Sequence, residues 1–156
     1  MLERNFERVY NKFKLSLYAK VFQEYRKDAD DALTTQEVIS MEIINALGEP
    51  SVNEFASMAT LSTPNATYRV NQLVKKGFIE KIQSEKDKRE FHLRMTPKYD
   101  EIYGDVFHYV DTICERIRAR FPEEDVKKLD EMLGIIASEL MHETDAVRLV
   151  ASRDQR

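Results

Sequence analysis

Apolar side chains recur at spacings of three and four along most of this chain, a pattern typical of amphipathic helices. The first such stretch covers residues 3–26, and its apolar row is Phe6, Val9, Tyr10, Phe13, Leu17, Val21 and Tyr25. A second row, formed by Leu15, Tyr18 and Phe22, runs beside the first. Two rows fit a helix that packs one face on its own chain and another on a partner, and they fit almost as well a single wide face turned towards the core.

Two shorter helices are predicted next, each with a recognisable start. Thr34 or Thr35 can cap the first of them, and Gly48 marks its end. Ser51 lies three residues before Glu54, which is the spacing of a capping box, and it predicts the start of the second helix.

A third helix, predicted from Ser62 to Lys76, is apolar on one face only. Ser62 is its predicted cap, Pro64 lies in the first turn, and Gly77 ends it. Its outward side chains share groups that can bond to base edges or phosphates: Thr63, Asn65, Thr67, Tyr68, Arg69 and Gln72. The same side chains would suit an ordinary solvated helix face. Two short helices joined by a tight turn, the second more polar, nevertheless predict a helix-turn-helix.

The stretch after Gly77 alternates like the two arms of a β-hairpin, at residues 78–82 and 90–94. Its tip carries Lys86, Lys88 and Arg89. A charged tip is often only a solvated loop. Directly after a helix-turn-helix, it favours a wing that lies over a nucleic-acid backbone or in a minor groove.

Two long helices are predicted in the remainder. Thr96 and Pro97 open the first, which runs to about Arg120, and acidic residues after Phe121 start the second. Like the first helix of the chain, the last carries two apolar stripes. One copy leaves much of this surface uncovered, which favours a homodimer.

Charge is distributed unevenly along the chain. The net charge of the protein is −4, yet residues 62–98 carry nine Lys/Arg against four Asp/Glu, a net charge of +5, and the remainder carries −9. A basic segment on an acidic body is expected where one face meets phosphate and the others do not.

Several classes of protein are disfavoured by the sequence. No Gly-rich phosphate loop, G-x-S-x-G or H-E-x-x-H motif is present, and His92, His108 and His142 are scattered, so we predict no catalytic, cofactor or metal site. The one cysteine, Cys114, falls in an apolar row and is predicted to be a small buried side chain. The single cysteine, the charged N-terminus and the lack of a membrane-length apolar run predict a cytoplasmic protein.

The order of these elements, together with one local motif, resembles the MarR family of bacterial transcription regulators. The motif residues are Lys76, Gly77, Phe78, Ile79, Asp87, Arg89, Leu93 and Thr96. The resemblance implies a mainly α fold with a small β-hairpin wing in a single domain, residues 1–156. Within it, residues 33–97 would form a winged helix-turn-helix, and residues 1–30 and 98–145 would supply dimerisation helices.

The resemblance also implies a function and roles for individual residues. The protein would be a sequence-specific regulator, with repression favoured, that binds a pseudo-palindromic operator in double-stranded DNA as a homodimer. The helix at 62–76 would enter the major groove, Asp87 would brace the wing through an ion pair, and Arg89 would enter the minor groove. One departure is Tyr68, which holds a position usually occupied by Arg; Arg69 follows it, turned by about 100° around the helix.

Two alternatives stay open at this point. A winged-helix protein-interaction module without DNA binding would tolerate charge reversal in the wing, but it leaves the basic segment unexplained. A small-molecule effector is also implied by the resemblance. Its pocket could draw on aromatic or flexible residues for which filling the core is the favoured role: Tyr10, Phe13, Tyr18, Met41 and Phe107.

Overall fold

A computed structural model describes residues 1–24, 33–85 and 87–143, and at positions 20–24, 102–103 and 105–107 it describes the backbone alone. The elements in chain order are α1 (Leu2–Glu24), α2 (Thr35–Leu47), α3 (Val52–Met58), α4 (Thr63–Lys75), β1 (Ile79–Gln83), β2 (Phe91–Met95), α5 (Pro97–Arg120) and α6 (Glu123–Ile135), with a π-helical turn over Ile136–Leu140. The predicted fold class, mainly α with a small β-hairpin wing on a helix-turn-helix, is confirmed.

Capping boxes begin α2 and α3, as the sequence predicts. The Thr34 hydroxyl accepts from the Glu37 N–H at 3.2 Å, and the Glu37 carboxylate accepts from the Thr34 N–H at 2.7 Å. Ser51 and Glu54 repeat the arrangement with the same two distances. Each box satisfies two N–H groups that a helix start leaves unpaired, and the first shows that Thr34 is the cap.

The start of α4 differs in one respect from the prediction. Ser62 occupies the cap position with extended backbone angles, but its side chain makes no capping hydrogen bond. Pro64 lies in the first turn, as predicted. At the other end Lys76 is the last residue of the turn, and Gly77, at φ +78°, adopts a left-handed conformation that a side chain would disfavour. The predicted bounds of this helix are thus correct to within a residue.

The wing, β1, β2 and the tip at residues 84–90, follows α4 directly. Its strands pair antiparallel from Ile79 opposite Met95 to Gln83 opposite Phe91, one residue later than predicted. The segment before α3 adds a short third edge, because the Leu93 N–H donates to the Pro50 carbonyl at 2.8 Å and residue 51 pairs with residue 92. The sequence analysis did not predict this edge.

One hydrophobic core joins α2, α3, α4, the wing and the start of α5. Its large members are Val38, Met41, Ile44, Phe55, Val70, Leu73, Phe78, Ile79, Leu93 and Tyr99. In α4 the predicted inward residues are confirmed: Ala66, Val70 and Leu73 are buried, and Val74 packs at the edge. The core therefore holds α4 by one face and leaves the opposite face in solvent.

The terminal helices leave large apolar side chains uncovered in one copy. In α1, Phe13 packs edge-on against Tyr109 of α5, with ring centroids 5.7 Å apart, and Leu17 packs against the core. The uncovered side chains of α1 and α6 include Phe6, Val9, Tyr10, Leu15, Leu129, Met132, Leu133 and Ile135. This distribution favours a helix with two apolar faces over a single wide core-facing one. The predicted row members Val21, Phe22 and Tyr25 lie outside the described side chains.

Glu42 of α2 makes a polar contact with the start of α5. The phenol of Tyr99, which is 1% exposed, donates to the Glu42 carboxylate at 2.9 Å. Burial raises the pKa of the Glu42 carboxyl above its ordinary value, and the hydrogen bond from Tyr99 offsets part of that effect. The folded state therefore binds the Glu42 proton more tightly than the unfolded chain does. The protonated carboxyl contributes its full stabilisation below the unfolded pKa of about 4.3, and this stabilisation is lost as the pH rises through the folded pKa.

Glu42→Gln should therefore be more stable than the parent protein at pH 7, because glutamine keeps an acceptor for Tyr99 without a buried charge. The free energy of unfolding, measured with urea at pH 7 and pH 4, should show an advantage that shrinks at the lower pH. Glu101→Gln, at an exposed position of α5, is the matched control. A variant less stable than the parent at pH 7 would show that the ionised carboxylate stabilises the fold.

Candidate nucleic-acid interface

The polar side chains predicted to face outwards from α4 do so. Ser62, Thr63 and Asn65 are exposed, and the ring of Tyr68 is 66% exposed. Thr67, Arg69 and Gln72 are half-buried along the flanks of the same face. The structure thus brings all seven residues to one surface.

A groove separates the first half of α4 from the wing, and we call it the wing-side groove. Its lining residues are Ser51, Val52, Asn53, Thr63, Thr67, Lys81, Asp87, Arg89, Glu90 and Phe91. Helix hydroxyls and wing cations therefore face the same space. Asn53 and Lys81 were missed as site residues by the sequence analysis. The alternation of the hairpin could have identified Lys81, because Lys81 lies opposite Leu93 and therefore on the same face of the sheet.

A second depression lies on the other flank of α4, and we call it the α2-side cleft. It is lined by Thr34, Gln36, Glu37, Asn65, Tyr68, Arg69 and Gln72. Tyr68 and Arg69 border the same cleft although they are adjacent in sequence. Thr34 and Gln36 were also missed, because only the fold shows that the start of α2 lies beside α4.

The tip of the wing is a tight turn organised by Asp87. Its carboxylate accepts from the Arg89 N–H at 2.9 Å, and its carbonyl accepts from the Glu90 N–H at 2.9 Å. The side chain of Gln83 donates to the Lys88 carbonyl at 2.7 Å. These contacts brace the tip from within and leave Lys88 and Arg89 exposed. The ion pair implied for Asp87 stays a prediction, and Lys86 lies outside the described residues.

Polar contacts attach α4 and the residue that follows it, Lys76, to neighbouring elements. Lys81 of β1 donates to the Asn71 side-chain oxygen at 2.7 Å, and Lys76 donates to the Glu37 carboxylate at 2.8 Å. Burial alone would raise the pKa of Glu37, but the hydrogen bonds from Lys76 and Thr34 hold that pKa below its ordinary value. The acidic group in the α2-side cleft is therefore ionised and already paired with a cation.

The other candidate residues are spread over the core and the surface. Met41 is fully buried, Phe13 is half-buried, Tyr10 and Tyr18 are exposed, and the side chain of Phe107 lies outside those described. Cys114 is half-buried, not buried as predicted, because no residue of α5 from 108 to 120 is fully buried in a single copy. Within residues 1–24, 33–85 and 87–143, no group of three or more His, Cys, Asp and Glu is placed to hold a metal ion. None of the described helices has the length and apolarity needed to cross a membrane.

Comparison with known proteins agrees with this architecture. The model of the MarR family matches residues 33–91. The regulator BilQ of Clostridioides difficile (strain CD3) is 29% identical over 93 residues, which are 60% of this chain and 63% of BilQ, so the match spans under two thirds of that relative. YkoM of Bacillus subtilis (strain 168), an uncharacterised HTH-type transcriptional regulator, is 23% identical over 90% of this chain and 91% of its own length.

Solved structures share the fold over most of the chain. A point mutant of MepR from a multidrug-resistant S. aureus clinical isolate superposes with a TM-score of 0.61 at 15% identity, covering 90% of this chain and 98% of MepR. FabT of Streptococcus pneumoniae, solved in complex with DNA, superposes with a TM-score of 0.54 at 22% identity, covering 90% and 97%. The winged helix-turn-helix of this chain, residues 33–91, is therefore similar to that of the MarR family, and the relatives that match it are HTH-type transcriptional regulators.

Proposed function

We propose that this protein is a transcriptional regulator of the MarR family that binds a pseudo-palindromic operator in double-stranded DNA as a homodimer and represses transcription from it. The observation that carries the proposal is the wing-side groove, where Thr63 and Thr67 of α4 face the same space as Lys81 and Arg89 of the wing. A helix and a cationic hairpin side by side could contact a major groove and the minor groove next to it.

The exposed face of α4 has the chemistry needed to contact base edges. The amides of Asn65 and Gln72 suit the paired donor and acceptor of adenine, and the guanidinium of Arg69 suits guanine or a phosphate. Tyr68 offers a ring for a thymine methyl group and a hydroxyl that both donates and accepts. Because α4 is held to the core only by its opposite face, all these groups can enter a major groove together.

Electrostatics favour the same orientation on DNA. The segment 62–98 carries a net charge of +5 and the remainder −9, so phosphate is attracted to this segment and repelled by the rest of the chain taken together. In the wing, Lys88 and Arg89 are exposed, while the nearby carboxylate of Asp87 accepts a backbone N–H. Arg89 also lines the wing-side groove, and the family resemblance implies that it is the side chain that enters the minor groove.

The uncovered apolar stripes of α1 and α6 support the homodimer. A twofold axis between the terminal helices would cover these side chains and place two copies of α4 on one side of the assembly. Half-sites about 10 base pairs apart, one turn of DNA, would then be contacted together. In this proposal residues 1–30 and 98–145 are the dimerisation helices. Repression and release by a small-molecule effector rest on the family resemblance alone.

The direct experiment is footprinting on the DNA upstream of the protein's own gene. Two protected half-sites with centres about 10 base pairs apart are expected. A protein-interaction module without DNA binding would protect no upstream duplex, and that result would overturn the proposal.

Arg89→Ala should weaken operator binding by about 1–3 kcal/mol while leaving the fold intact, if Arg89 occupies a groove. Affinity is measured by fluorescence anisotropy, and folding is checked by urea unfolding. Arg118→Ala, an exposed arginine of α5, provides a control for the loss of one positive charge. Equal affinity of the Arg89 variant and the parent would remove the wing from the interface.

A further inference from the structure

Three charged side chains form a ladder across the outer face of the wing. Arg94 of β2 lies between Glu80 of β1 and Glu49, which precedes the short third edge. Its Nε donates to Glu49 Oε1 at 2.6 Å and its Nη2 to Glu49 Oε2 at 3.3 Å, while Nη1 lies 3.9 Å from Glu80 Oε1. The two-pronged contact with Glu49 fixes the direction of both side chains, as well as their distance.

The backbone at Glu49 is unusual for a residue with a side chain. Its φ is +54°, directly after Gly48 at +63°, so two successive left-handed residues turn the chain out of α2. Such a conformation is unfavourable for a non-glycine residue and persists where neighbouring contacts enforce it. Here the guanidinium of Arg94 donates two hydrogen bonds to the Glu49 carboxylate, and the Glu49 carbonyl lies 3.2 Å from His92 Nδ1.

The turn at Glu49 determines where the third edge meets the hairpin. Immediately after it, the Pro50 carbonyl accepts from the Leu93 N–H, and residue 51 pairs with residue 92. Ser51 is also the cap of α3, so residues 49–51 connect the start of the helix-turn-helix directly to strand β2 of the wing. The orientation of the wing relative to α3 and α4 therefore depends on this turn.

The ladder lies on the opposite face of the sheet from the wing-side groove. Side chains alternate along β2, so Phe91 and Leu93 face the groove and the core, and Arg94 faces away. On the groove face, Lys81 attaches the wing to Asn71 of α4 at 2.7 Å. The wing is therefore attached to its neighbours by side-chain contacts on both faces of the sheet.

We propose that Glu49 and Arg94 are positioning residues for DNA binding: their ion pair sets the angle of the wing and so places Arg89, without contacting DNA itself. This inference rests on the proposed function. It predicts that loss of the pair weakens binding only through Arg89, because the contacts of α4 with bases lie on another element.

The test is a double-mutant cycle on operator affinity with the parent, Glu49→Gln, Arg89→Ala and the combination of both. Glu49→Gln should lower affinity about 3- to 10-fold in the parent and have no further effect in the Arg89→Ala background. Removing a negative charge would by itself strengthen binding to DNA, so a loss cannot be an effect of net charge. Arg94→Gln repeats the measurement from the other partner of the pair.

Glu80→Gln is the matched control, since it makes the same charge change on the same face, where the distance to Arg94 is 3.9 Å. It should bind the operator at least as tightly as the parent does. Two results would overturn this inference and leave the proposed function standing. One is an equal loss of affinity from Glu49→Gln in the parent and in the Arg89→Ala background, and the other is no loss of affinity from either Glu49→Gln or Arg94→Gln. If the parent itself binds no duplex, the proposed function fails, and the inference fails with it.

Discussion

Leu133→Asp is expected to yield a monomer whose affinity for the operator is about 10²- to 10⁴-fold lower than that of the parent. Leu133 is 51% exposed in one copy and lies on the uncovered stripe of α6. In a dimer the second copy of α4 binds its half-site at high effective concentration, because the first copy already holds it on the DNA. A buried aspartate in the proposed interface removes this advantage without touching α4 or the wing.

Analytical ultracentrifugation gives the mass of the variant, and fluorescence anisotropy gives its affinity. Glu131→Lys, two residues away and so turned to the other side of α6, changes the charge of the same helix without altering the stripe and should remain dimeric. A Leu133→Asp protein that stays dimeric would exclude this stripe from the interface. A monomer that binds the operator as tightly as the parent would show that dimerisation does not contribute to binding.

Phe55→Ala is expected to lower the free energy of unfolding by about 3–5 kcal/mol. The ring of Phe55 is 0% exposed and belongs to the core on which α4 rests. Its removal leaves a cavity that a well-packed core can close only in part. Because the loss is a large fraction of the stability of an ordinary domain, operator binding should fall with the folded population.

Phe91→Ala is the matched control for this stability measurement, because it makes the same change where the ring is 39% exposed. Urea unfolding of the two variants should therefore give clearly different losses, with the smaller one at Phe91. Equal losses would mean that Phe55 is no more important to the core than a residue at its edge.

Local features of the sequence were sufficient to predict most of the fold. Thr34 with Glu37, and Ser51 with Glu54, lie within one helical turn of each other, so their spacing alone predicts the caps. The inward and outward faces of α4 follow from helical periodicity in the same way. For this reason the exposed positions of Asn65 and Tyr68 were predicted correctly.

Features that depend on contacts between distant residues were not predictable. The pairing of Glu49 with Arg94 joins residues 45 positions apart, and no periodicity reports it. The third edge of the wing is too short to show alternation. The α2-side cleft could not be predicted because it forms where α2 packs beside α4, and the sequence pattern does not report that contact. Ser62 had the right residue type for a cap, but its hydroxyl makes no capping bond.

The central claim, that the winged helix-turn-helix binds DNA through its basic face, is tested most directly by a salt titration of operator affinity. Fluorescence anisotropy with the upstream duplex should give a straight line of log affinity against log salt, falling by about 0.9 for each phosphate neutralised. In Arg89→Ala the slope should become shallower by at most about one such unit. A complex insensitive to salt, or no binding to any upstream duplex at low salt, would contradict the claim.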